Sequence, residues 1–247
     1  HIGLDPAFGI LDRNDSENLI GLLRKELQPA TRQRSFPRSK TLADIFSRAV
    51  NKGLSIQEVI ENGYPHFESH LETISRLYQL FEIRKQEHHF LDYDDLLVYL
   101  RRLLAEYPDA QDRISKRYHY IMVDEYQDTN TIQYALIRLL AGNRNKVFIV
   151  GDDDQAIYAW RGARVENIHR FQKDFSDAQI VRLEQNYRST TTILSAANAL
   201  IDNNNDRLGK KLWTSGEDGE QIVFYNGFNE LDEARFVIER ARQWTEQ

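Results

Sequence analysis

YIMVDEYQDTN, Tyr120 to Asn130, is the stretch whose reading decides the fold. Four apolar residues run together without alternation and are followed at once by paired carboxylates. A short unbroken apolar run of this kind is the pattern of a strand buried in a parallel sheet. Val147-Phe148-Ile149-Val150 and Ile180-Val181-Arg182-Leu183 repeat the pattern, and Thr131 to Leu140 and Val165 to Phe171 between them have amphipathic helical spacing. Strand, helix and strand then alternate as in an open α/β sheet. Right-handed crossovers bring the carboxyl ends of such strands to one edge, where these sheets bind ligands. The polar pairs Asp124-Glu125, Gly151-Asp152 and Gln185-Asn186 would all gather there.

Upstream, the first ~118 residues are expected to be an all-α unit. Asp15-Ser16 before Glu17 reads as a helix start, with Leu19, Ile20, Leu22, Leu23 and Leu27 as an apolar stripe that Gln28-Pro29 ends. Leu42 to Val50, Ser55 to Glu61, His66 to Lys85 and Tyr93 to Tyr107 have similar spacing. Downstream, a helix is predicted over Thr190 to Ile201, a turn at Asn203-Asn204-Asn205, a strand over Ile222 to Tyr225 and a helix over Leu231 to Trp244.

An apolar fraction of 41 % over 247 residues supplies a real core. The absence of cysteine excludes disulfides and thiolate metal sites, and fits a reducing cytoplasm, the expected location. No run reaches the ~20 apolar residues of a membrane helix, and His1-Ile2-Gly3-Leu4 is not a signal peptide. Beginning without Met, the chain is expected to be an internal piece of a longer protein. A net charge of −6 argues against wrapping duplex DNA by charge alone. Locally, however, Arg24, Lys25, Arg32, Arg34, Arg38, Lys40, Arg48 and Lys52 face only Glu26 and Asp44, a stretch that can touch phosphates or simply form a solvated face.

Three segments carry chemistry. In VDEYQDTN, Val123 to Asn130, Asp124 at a strand tip can bind Mg²⁺, which prefers one or two carboxylates plus phosphate oxygens, and Glu125 can orient or deprotonate an attacking water. The plainer alternative is a loop in which Asp128 or Thr129 caps the next helix. In VGDDDQAIYAWRGA, Val150 to Ala163, Gln155 can sense a γ-phosphate or lytic water, while Tyr158 and Trp160 offer faces for unpaired bases and Arg161 a phosphate contact. Burial in a core is the alternative for Trp160. In LEQNYRST, Leu183 to Thr190, Tyr187 can stack on adenine and Arg188 can grip phosphate oxygens, or Ser189 or Thr190 can merely cap a helix.

In this order and spacing the three segments resemble motifs II, III and IV of the UvrD/Rep family of superfamily 1 ATP-dependent DNA helicases. The resemblance continues through Ser195-Ala196-Ala197-Asn198, Asn203-Asn204-Asn205, Gly209 to Thr214 and Asn229 to Phe236, and more loosely through Phe8-Gly9-Ile10-Leu11-Asp12 and Leu91 to Leu97. It covers the whole chain and is strongest from about residue 118 onward. It implies an α/β protein: a helical subdomain 1B at 1–118, part of a RecA-like, P-loop-type ATPase subdomain 1A at 119–184, and the start of a second RecA-like subdomain 2A at 185–247. ATP and Mg²⁺ are the implied cofactors. Asp124 would hold the metal, Glu125 activate water, Gln155 couple the γ-phosphate to DNA, Tyr187 stack on adenine and Arg188 act as an arginine finger. Tyr158, Trp160 and Arg161 would meet DNA. The implied partners are single-stranded DNA and its junctions with duplex, together with repair proteins, and no membrane.

The 247 residues depart from the family pattern in having no Gly-rich loop ending in Gly-Lys-Thr or Gly-Lys-Ser. Gly209-Lys210-Lys211 is not one. By itself the chain is therefore expected not to hydrolyse ATP. Two other readings compete with a repair or replication helicase: the motor of a recombination-type helicase-nuclease, and a non-catalytic DNA- or partner-binding module. Glu125, Gln155 and Arg188 speak against the last, because binding alone has no chemical need of them.

Overall fold

Asp12, rather than Asp15, starts the first helix. Its carboxylate accepts from the Asp15 N–H while the Asp15 carboxylate accepts from the Asp12 N–H, so two otherwise orphan donors are satisfied reciprocally. The same capping box opens the helices at Ile56–Gly63, Tyr93–Glu106 and Thr131–Ala141, from Ser55, Asp92 and Asn130 respectively. The computed structural model describes residues 2–27, 34–142, 146–205 and 207–246, with Arg161 as backbone only. Gln28-Pro29, the expected helix stop, and Arg32 lie outside the described residues, as does the Arg161 side chain.

The chain divides into two compact units, residues 1–178 and 179–247. The first runs β1 (Gly9–Leu11), α1 (Arg13–Glu26), α2 (Ser39–Lys52), α3 (Ile56–Gly63), α4 (Leu71–Glu87), β2 (Phe90–Asp92), α5 (Tyr93–Glu106), α6 (Pro108–Arg117), β3 (Ile121–Val123), α7 (Thr131–Ala141), β4 (Val147–Ile149) and α8 (Glu166–Asp174). Its N-terminal half is helix-rich but not all-α. β1 and β2 pair in parallel, Gly9 opposite Phe90 and Leu11 opposite Asp92. Three-residue strands are too short to display alternation, which is why periodicity missed them. The helix expected over His66 to Lys85 is in fact a 3₁₀ turn, Pro65–His70, running into α4. Pro65 and Pro108 each stand at the first position of their element, where a missing N–H costs nothing.

The largest core joins α1 to α4. Ile20, Leu23, Leu42, Ile45, Ile60, Ile74 and Leu77 have no measurable exposure, and each such side chain contributes roughly 1.5–3 kcal/mol by leaving water. Basic residues of the Arg24–Lys52 stretch serve this packing in part: Arg24 lies over the Phe36 ring and Arg48 over Tyr64. A second core, Leu104 with Ile132 and Leu136, fastens α5 to α7, so the helical half grips the helix that follows β3. Between α4 and α5 the buried Lys85 ammonium meets Glu82, Asp92 and Asp95 at 2.9, 2.9 and 2.7 Å.

β3 and β4 pair in parallel, Ile121 with Val147 and Val123 with Ile149, as expected of the first two apolar runs. Their inner residues pack on Tyr134, Ile137, Phe171 and Phe175 of α7 and the α8 region. Met122 and Phe148 on the other face stay 74 % and 58 % exposed.

The second unit holds α9 (Thr191–Ile201) and α10 (Glu230–Thr245). The strands expected at 180–183 and 222–225 do not form among the described residues. A strand needs a neighbour to take its backbone hydrogen bonds. Here such pairing is confined to an isolated parallel bridge, Gln185 with Trp213. The described residues are thus helix-rich α/β with two small parallel sheets, and no described helix is long and apolar enough to cross a membrane.

Candidate functional site

At the carboxyl end of β3 the chain alternates outward and inward in pairs. Asp124 and Glu125 are exposed; Tyr126 and Gln127 are buried. Tyr126 sets this order. Its ring packs edge-on against Phe171, with centroids 5.7 Å apart, and its N–H donates to the Val150 carbonyl. The Val150 N–H in turn donates to the Val123 carbonyl. Burial raises the Tyr126 hydroxyl well above its ordinary pKa, and raises that of Tyr134, which donates to Asp174, to about 12. Both stay neutral, so Tyr126 acts as an anchor.

Glu125, immediately before the anchor, has a left-handed backbone with φ 49° and opens a 3₁₀ turn over Tyr126–Asp128. Asp124 accepts the Glu125 N–H at 2.9 Å. Gln127 donates to the Glu125 carboxylate at 2.6 Å and accepts the Asp152 N–H at 2.9 Å. Desolvation, and secondarily the charge of Glu125, raise the Asp128 carboxyl above its ordinary range. The helix after this turn is capped by Asn130, not by Asp128 or Thr129, the caps of the plainer alternative.

Past β4, Asp152 caps a second 3₁₀ turn, Asp153–Gln155. One of its oxygens accepts the Asp154 N–H at 3.0 Å and the other the Gln155 side-chain amide at 2.8 Å. Gly151 permits the close approach: a Cβ there would meet the Gln127 side-chain oxygen at 3.1 Å and Tyr126 Cβ at 3.3 Å. Hydrogen bonds therefore run without a break from Glu125 through Gln127 and Asp152 to Gln155. Tyr158 and Trp160 follow with ring centroids 6.4 Å apart, and Trp160 is 55 % exposed, which removes the core alternative. Gly162, at φ 96°, turns the chain against Asn51 and Lys52 of α2.

Two further asparagines hold this region, and sequence reasoning missed both along with Gln127. Asn167 donates to the Thr129 carbonyl at 2.9 Å and its hydroxyl at 3.1 Å, tying α8 to the turn after β3. Asn51 accepts from the Asn130 side chain at 2.7 Å and donates to Asp94 at 2.8 Å, so α2 and α5 grip the cap of α7. Gln127 lies within a quoted motif and Asn167 four residues past another, whereas nothing in the sequence marks Asn51.

In the second unit, Asn186 accepts the N–H groups of Arg188 and Ser189 at 2.9 and 2.8 Å, a local turn that leaves Arg188 exposed. Tyr187 is 86 % exposed, and its hydroxyl donates to Gln185 at 2.8 Å. Thr190 occupies the cap position of α9 without a side-chain hydrogen bond. Asn198 on α9 pairs with the Leu212 backbone in both directions, at 2.8 and 3.3 Å.

A family model described as the UvrD/REP helicase N-terminal domain matches residues 1–176, and one described as the UvrD-like helicase C-terminal domain matches residues 181–247. DNA helicase II of Salmonella typhimurium is 48 % identical over 241 residues, which is 98 % of this chain and 32 % of that protein. DNA helicase II of Escherichia coli has the same identity and coverage. ATP-dependent DNA helicase PcrA of Leuconostoc citreum is 39 % identical over 245 residues, 99 % of this chain and 32 % of its own length. The chain spans about a third of the length of the curated relatives it matches.

Proposed function

The chain belongs to the UvrD/Rep helicase family, and from that premise we propose that it supplies the water-activating half of the ATP site of a DNA helicase. The observation that carries this reading is the unbroken hydrogen-bonded path from Glu125 to Gln155 across the ends of β3 and β4. In the proposed reaction Glu125 takes a proton from a water whose oxygen bonds to the γ-phosphorus as the bond to the β,γ-bridging oxygen breaks, releasing ADP and phosphate. Gln155 would sense the γ-phosphate, and in the second unit Tyr187 and Arg188 keep the adenine-stacking and arginine-finger roles that the family resemblance implies.

Mg²⁺, when bound with the nucleotide, supplies neutralising charge to the phosphate oxygens. Asp124 suits it: an exposed, hard carboxylate ligand, separate from the cluster in which Asp152, Asp153 and Asp154 bring oxygens within 4.8 Å of one another. Tyr158, Trp160 and Arg161 form the single-strand contact, through which hydrolysis drives translocation and duplex unwinding. We assign residues 1–118 to subdomain 1B, 119–184 to the RecA-like subdomain 1A and 185–247 to the start of 2A, with repair or replication as the setting.

The test is hydrolysis of Mg·ATP by the full-length protein. Glu125→Gln should leave nucleotide binding largely intact and lower the DNA-stimulated rate by ~10²–10⁴-fold, the usual contribution of a positioned general base. Near-normal turnover removes Glu125 from the mechanism.

A further inference from the structure

Gln127 is 1 % exposed and sits between two groups that accept only one orientation of its amide. Its N–H₂ faces the Glu125 carboxylate at 2.6 Å, and its carbonyl oxygen faces the Asp152 N–H at 2.9 Å. A carboxylate only accepts and a backbone N–H only donates, so neither Glu nor Leu can serve both ends. Glu125 itself occupies a backbone region unfavourable to a glutamate, and its carboxylate has no other hydrogen bond among those found in the described residues. Nothing in secondary structure calls for a buried amide here. What it joins are Glu125, to which the proposed reaction gives proton removal, and the turn capped by Asp152 whose last residue, Gln155, is given nucleotide sensing.

We infer that Gln127 is a positioning residue, whose carboxamide holds the Glu125 carboxylate in register with the Asp152–Gln155 turn. This rests on the reading of Glu125 as the water-activating base. In this role Gln127 need meet neither the attacking water nor the phosphate, and acts by fixing where the Glu125 oxygens point and by tying that direction to the loop carrying Gln155. When a nucleotide or a DNA strand shifts that loop, the shift reaches Glu125 through one side chain. The narrow gap left by Gly151 is what lets the amide span from strand end to strand end.

The experiment compares Gln127→Met, Glu125→Gln and the double variant in the full-length protein, by steady-state hydrolysis of Mg·ATP with saturating single-stranded DNA. Gln127→Met keeps the volume and removes both hydrogen bonds. Its kcat is expected to fall about 10–100-fold, with KM for ATP changed by less than about threefold, as when a supporting partner of a functional group is lost. On the Glu125→Gln background the same change should lower kcat by less than about twofold, because a residue acting through Glu125 has nothing left to act through. A merely structural role predicts the opposite: multiplying losses and a raised KM. Should Gln127→Met fail to fold, Gly151→Ala, which crowds the amide, is expected to lower kcat several-fold at unchanged KM, and an unaltered kcat there overturns the inference. A Gln127→Met enzyme within twofold of wild type, beside a crippled Glu125→Gln, overturns the role of Gln127 and leaves the proposed function standing. A fully active Glu125→Gln enzyme overturns both.

Discussion

The helices of residues 13–87 and those of residues 191–245 are equally well formed, but what they bury differs. In the first group seven aliphatic side chains are wholly withdrawn from water. In the second unit Leu194 is the only buried apolar residue among those described, while Phe224 and Phe228 stand 90 % and 96 % exposed. A helix satisfies its own backbone and forms on local terms; a core needs several faces to meet. The difference teaches that a helix can form in this chain without a core beneath it, and that buried apolar packing among the described residues is concentrated in the first unit.

The largest effect should come from charge. Lys85 is held by three carboxylates and only 4 % of its side chain is exposed. Lys85→Met leaves Glu82, Asp92 and Asp95 crowded together, and should cost about 3–5 kcal/mol by chemical denaturation of the first unit. Burial alone would lower the Lys85 ammonium, but Asp92, Glu82 and Asp95 outweigh it and keep its pKa above the ordinary 10.5. Its folded value being the higher one, the stability it contributes is complete below pH 10.5 and lost as the pH rises beyond. The wild type should therefore weaken above that pH more steeply than Lys85→Met, and parallel curves would place Lys85 outside the energetics of the fold. Next, Ile45→Ala should cost about 2–5 kcal/mol and speed hydrogen exchange throughout α1–α4, as a cavity in a closed core does. Exchange unchanged outside α2 would show that this core is not cooperative.

Smaller still is the effect expected at Trp160, which belongs to the first unit but resembles the second in exposure. Trp160→Ala should weaken single-strand binding by about 1–3 kcal/mol and barely move the melting temperature. A large fall in melting temperature would make Trp160 a packing residue after all. At the bottom of the scale, Phe228→Ala should change stability by no more than about 0.5 kcal/mol, the range of surface substitutions. A loss comparable to that at Ile45 would erase the contrast between the units.

How much of this was legible in the sequence follows the same division. Helices announced themselves through the spacing of residues such as Leu42, Ile45 and Phe46, because their hydrogen bonds are local. Strands were legible only where a neighbour exists: Ile121–Val123 and Val147–Ile149 pair, whereas the equally apolar Ile180–Leu183 does not. β1 and β2 were invisible as strands, although all of their residues but Phe90 lie in segments that carry the family resemblance. At the site, Glu125 and Gln155 could be chosen by chemical type. Gln127, Asn51 and Asn167 could not, since their importance lies in partners 25 to 79 residues away.

The left-handed backbone at Glu125 has a consequence for how this protein can be improved. A residue with a Cβ held in that region costs about 1–2 kcal/mol, a strain that glycine escapes. Glu125→Gly would relieve that strain but strip the buried Gln127 amide of its acceptor, a loss of about 1–3 kcal/mol, so the two effects roughly cancel and the melting temperature should barely move. A glutamate is held in this strained backbone by the hydrogen bond it accepts from Gln127, whatever chemistry it also performs.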